Sequence, residues 1–135
     1  MEELPPSRRL VDQRVRNRIM EAILCLAEGD EGVDAAGATE WFEIFFDYFP
    51  YDGALVRDNS SIDDGEWEAL TSLLTVMQIA CRETPSRMSE TELKATGWPS
   101  RVAPTAAAIL NVFLARGRFS EDVEEETPTS RHPWP

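Results

Sequence analysis

Glu40, Glu43 and Asp47 are spaced at i, i+3 and i+7. At 100° per residue these carboxylates fall together on one side of a helix. Such a group could ligate a metal, exchange protons or attract a cationic partner. A two-metal bundle site would point its carboxylates inward and pair them with Glu-x-x-His. No such tetrad occurs, and the inward sector holds Trp41, Phe42, Ile44, Phe45, Phe46, Tyr48 and Phe49. The trio therefore reads as an outward acidic stripe. Like charges at this spacing cost an isolated helix about 0.2–0.5 kcal/mol per pair. Either arginines from elsewhere in the fold neutralise them or an outside cation does. Arg8, Arg9, Arg14, Arg16 and Arg18 are the local candidates, and their pairing with Glu40, Glu43 or Asp47 is the expectation.

The other reactive residues offer little. The one histidine, His132, stands beside Pro133 near the end of the chain. A catalytic base needs a fixed place within reach of its proton partner, which a terminal tail does not provide. Ser-His and Cys-His pairs and most zinc sites are thereby removed. Cys25 and Cys81 lie within apolar helical patterns and read as reduced core thiols, with no CxxC spacing. Glycine-rich phosphate loops and dinucleotide fingerprints are missing. No catalytic residue, metal ligand or cofactor is expected. A carboxylate enzyme stays as the alternative if two or more of Glu40, Glu43, Asp47, Asp63 and Glu66 converge in a pocket. Trp98, before Pro99, reads as a half-exposed interface anchor.

These residues must be positioned by helices. Residues 1–6 read as a frayed start. Ser7 is an N-cap for a helix running to about Glu28 and stopped by Gly29. Its first half carries the arginines; residues 19–27 are apolar nearly all round and should be buried. Residues 29–38 read as a loop and 39–49 as a helix ended by Pro50. Residues 50–61 are turn-rich, with 54–56 short and extended. Asp63 and Glu66 form a capping box with Ile62 and Trp67 in the staple positions, and the helix they open ends before Pro85. Ser89 and Glu92, with Met88 and Leu93, repeat that signature for a short helix ended by Gly97. Trp98-Pro99 reads as a bend. The last helix starts at Ser100 or later, because Pro104 fits only a first turn, and it ends at Arg116-Gly117. Residues 120–135 read as a mobile acidic, proline-containing tail. The fold expected is a single all-α domain over 7–119, a compact bundle of four to five helices.

The 135-residue chain carries 13 basic and 25 acidic side chains, a formal net charge of −12. Nucleic acid and anionic lipid both demand a basic face, so neither is an expected partner. A basic protein is. The start of the chain lacks the basic-then-apolar order of a signal peptide and no apolar run could span a membrane, so a cytoplasmic protein is expected.

The layout resembles small acidic helical proteins of bacteria, among them uncharacterised actinobacterial families and immunity proteins found beside secreted toxins. The residues carrying this are Arg14, Arg16 and Arg18 at alternate positions, Phe45-Phe46-Asp47, Asp64-Gly65-Glu66-Trp67, and Gly97-Trp98-Pro99 before an alanine-rich helix. Together they span most of residues 8–119. The resemblance implies a non-enzymatic inhibitor of a cognate toxin and carries over no functional residue. The function expected is thus protein binding through Glu40, Glu43, Asp47 and Trp98, immunity-type, with a basic partner. A structural or regulatory subunit that forms homo-oligomers is the remaining alternative.

Overall fold

The computed structural model describes residues 4–49 and 54–128. Over these the protein is all-α, with seven helical segments. They are α1 (Arg8–Ala27), α2 (Asp30–Ala36), α3 (Ala38–Phe46), α4 (Ala54–Arg57), α5 (Asp64–Glu83), α6 (Glu90–Ala95) and α7 (Trp98–Leu114). Pro50 and His132, both weighed above, lie outside the described residues.

The helix starts follow local chemistry. Ser7 Oγ accepts from the Leu10 amide at 3.1 Å to cap α1. Asp63 accepts from the Glu66 amide at 2.7 Å while Glu66 accepts from the Asp63 amide at 3.1 Å. Ser89 and Glu92 make the same reciprocal pair at the start of α6. Each box satisfies amides that have no intrahelical acceptor.

α7 is the hub. It packs most extensively on α1 and then on α5. Val102, Ala106, Ile109, Leu110 and Phe113, spaced at helical period, form its buried face. They meet Ile19, Met20, Ile23 and Leu26 of α1 and Leu70, Leu73 and Met77 of α5 in one core. α3 adds Trp41 and Phe45, both fully buried, from its place against α1 and α2.

Four expectations are corrected. Residues 30–36, expected as loop, form α2. Gly29 turns the chain at φ +61°, and α2 then lies so close to α1 that a Cβ on Gly32 would meet the Cys25 carbonyl oxygen at 2.0 Å. Only glycine permits that approach. Residues 54–57 form a helical turn rather than an extended piece. The last helix begins at Trp98, with Pro99 in its first turn and Pro104 inside. Pro104 removes the donor to the Ser100 carbonyl, but both residues are exposed, so water can satisfy that oxygen.

The fourth correction concerns the C-terminal segment, expected to be mobile from residue 120. Residues 119–128 instead follow a defined path along α1, with Phe119 buried. Asn17 donates to the Phe119 carbonyl at 3.0 Å, and Gln13 donates to those of Ser120 and Val123 at 2.9 Å each. Arg14 donates to the Glu121 carbonyl at 2.8 Å and Arg9 to that of Glu125 at 2.6 Å. Gln13 also accepts from the Glu125 amide at 2.8 Å. The segment thus runs antiparallel to α1, its peptide groups read by polar side chains of one helix face.

Candidate functional site

The arginines of α1 settle where positive charge goes. Arg16 is fully buried and forms an ion pair with Glu66 at 2.7 Å, the two side chains 0% and 1% exposed. Its guanidinium also donates to the Gly117 carbonyl at 2.7 Å and to that of Phe113 at 3.2 Å. Burial pulls Arg16 down from its ordinary pKa, against the hydrogen bond and charge of Glu66, which push it up. Arg116 reaches the other Glu66 oxygen at 2.7 Å and Asp63 at 3.3 Å. The rings of Phe113 and Phe119 lie 5.1 Å from the Arg16 guanidinium carbon. Arg18 pairs with Glu21 at 2.6 Å and with Glu121. Arg9 and Arg14 hold the C-terminal segment.

The expected pairing of these arginines with Glu40, Glu43 or Asp47 is therefore overturned. The arginine pairs go to Glu66, Glu21 and Glu121, and no ion pair to the trio is present among the described residues. All three carboxylates are exposed, Glu40 and Glu43 on α3 and Asp47 at its C-cap, since the helix expected to run to Phe49 stops at Phe46. The charge of Glu40 is the main cause that raises the Glu43 carboxyl above its ordinary pKa, with desolvation, a hydrogen bond to Glu40 and the charge of Asp47 adding to it. The stripe read from helical spacing exists, and among the described residues its mutually repelling charges have no ion-pair partner, Arg8 only sharing a cleft with Asp47.

Trp98 does not join them. It is 6% exposed, within the core and with the Arg101 guanidinium 3.9 Å above its ring, so the half-exposed anchor is a correction. A helix that begins at Trp98 directs this side chain inward, where a bend would have left it at the surface. Cys81 departs in the other direction: it is exposed on α5, not a core thiol, while Cys25 is half-buried. Burial, then the charge of Glu28, raises the Cys25 thiol above its ordinary pKa.

Known protein families, curated proteins and solved structures contain no match to this chain.

Its functional reading therefore rests on its own surface. Asp63 and Glu66 lie at the start of α5, engaged with Arg16 and Arg116, while the other three candidate carboxylates are exposed on α3 and at its C-cap. No group of three or more His, Cys, Asp or Glu suited to holding a metal ion occurs among the described residues. Among them, too, no helix is long and apolar enough to cross a membrane.

Beside the stripe runs a feature that helical spacing alone did not disclose. Ala38, Thr39, Phe42 and Glu43 of α3 face Cys81, Thr84, Pro85, Ser86 and Met88 across a groove of about 340 Å³. It continues between Phe46 of α3 and Gln78, Cys81 and Arg82 of α5. Phe42 packs edge-on against Trp41 with centroids 4.8 Å apart, and Phe46 against Phe45 at 5.7 Å. Both outer rings are thus fixed by buried ones while one side stays open. The available signal was the breadth of the apolar arc: seven large side chains cover more than one neighbouring helix can bury.

Proposed function

We propose that this chain is a non-enzymatic protein-binding domain, an immunity-type inhibitor of the bacterial cytoplasm that engages a basic toxin through Glu40, Glu43 and Asp47. The observation that carries the reading is the unneutralised stripe. Arg9, Arg14, Arg16 and Arg18 are engaged by other carboxylates or by carbonyls, and among the described residues no ion pair reaches Glu40, Glu43 or Asp47. A rigid helix anchored by Trp41 and Phe45 presents these charges with little ordering cost on binding. Complementary charge accelerates association and disfavours wrong partners, which suits an inhibitor. The resemblance to immunity proteins supplies the toxin as the partner, and a net charge of −12 makes that partner a basic one.

The first partner to test is the product of the neighbouring gene, which this reading expects to be a secreted protein with a basic terminal domain. Reversal of two charges, Glu43→Lys with Asp47→Lys, should leave the helical circular dichroism spectrum intact, because both positions are exposed. It should slow association and flatten the salt dependence of the rate. Equal association rates for wild type and variant at low salt would remove the stripe from the mechanism.

A further inference from the structure

We infer that the groove between α3 and α5 is the docking site for an amphipathic helix of the partner, one with an apolar face and a basic flank. This rests on the reading above and sharpens it, because it states what the partner presents besides charge. An apolar row runs along the groove, with polar residues at its edges: Ala38, Phe42 and Phe46 recur at i, i+4 and i+8 on α3, facing Cys81 and Met88. At 1.5 Å per residue that row is about 12 Å long, a little over two helical turns. An apolar helix face that inserts its i, i+3/i+4 and i+7 side chains needs a row of this length.

Charge decides which helix. Glu43 belongs to both features: it lines the groove and is the middle member of the stripe. Of the three stripe carboxylates Glu43 is the one on the groove's α3 lip, so a helix lying in the groove brings its flank over Glu43. A basic flank relieves the mutual repulsion that holds Glu43 above its ordinary pKa; an acidic flank would worsen it. The opposite lip carries Arg82, so the orientation is set: basic residues over α3, not over α5. The groove is also preorganised, since Phe42 and Phe46 are each held by a buried neighbouring ring.

The probe is a pair of fluorescein-labelled synthetic peptides of identical leucine and lysine composition. One collects its leucines on a single helical face and the other scatters them around the helix. Anisotropy titration of the full chain should give the first peptide a Kd lower by about tenfold or more, as expected when an apolar anchor fills a pocket. Cys81→Trp fills the groove from an exposed helical position without changing charge. It should remove that preference and leave the scattered peptide's affinity as it was. Glu43→Lys with Asp47→Lys should weaken both peptides. Equal binding of the two peptides to wild type overturns the groove and leaves the stripe standing. A preference that survives Cys81→Trp overturns it as well. If charge reversal leaves the amphipathic peptide unaffected, the basic flank falls, and the stripe reading with it. A concentration-dependent dimer by sedimentation, abolished by Cys81→Trp, would make a second copy the occupant and overturn the proposal.

Discussion

Glu66 performs three tasks with one carboxylate. It completes the capping box of α5, pairs with Arg16 inside the core and accepts from Arg116 at the end of α7. Removing one member of a buried pair leaves the other charge stranded, which costs roughly 3–5 kcal/mol. Loss of an N-cap alone costs about 0.5–2 kcal/mol. Glu66→Ala should therefore destabilise the protein well beyond Asp63→Ala in urea unfolding, although both belong to the same box. Equal losses would mean that the buried ion pair adds nothing to the cap. The sequence disclosed the box, because capping is local chemistry at fixed spacing. It did not disclose the ion pair, because Arg16 and Glu66 are brought together only by packing of α1, α5 and α7.

At the scale of elements, the strap formed by residues 119–128 depends on its neighbour. It has no apolar period of its own and so read as a tail; its peptide groups are satisfied by Arg9, Gln13, Arg14 and Asn17 of α1. The trace left in the sequence is the polar series Arg9, Gln13 and Asn17 at i, i+4 and i+8, an unusual face to bury. α2 escaped notice for a related reason, since its stability comes from contact of Gly32 and Val33 with α1 rather than from propensity. A chain ending at Phe119 should melt several degrees below the full chain, at roughly 2–8 °C per kcal/mol lost. Unchanged melting would contradict the strap. Acid should weaken it too. Burial alone would raise the Glu121 carboxyl, yet hydrogen bonds from Arg18 and Asn17 and the charges of Arg18 and Arg118 bring it below its ordinary pKa. A group lowered by folding stabilises at pH above its unfolded pKa, and that contribution is lost as pH falls through the folded one. The melting gap between full and truncated chains should shrink across that interval below the usual glutamate range.

For the whole molecule the pattern is a division of charge. The arginines of α1 are engaged with Glu21, Glu66, Glu121 and the strap, while the carboxylates on the outer side of α3 have no ion-pair partner among the described residues. Helical spacing made the stripe legible, and the capping signatures made most of the bundle legible. The groove beside the stripe was not, because it arises from the separation of two helices remote in sequence. Binding of a basic partner through α3 requires that Glu40, Glu43 and Asp47 remain unneutralised in the free protein. The most direct measurement is the titration of Glu43 followed by NMR through its side-chain carboxyl. Folding raises this group, so its charge appears only as pH rises past the folded midpoint and is lost below it. The midpoint should lie above the ordinary glutamate value and move down with added salt, as screening weakens the repulsion from Glu40 and Asp47. A midpoint at or below the ordinary value, rising with salt, would show that a cation within the protein already pairs with the stripe, and would contradict its role as a surface for a basic partner.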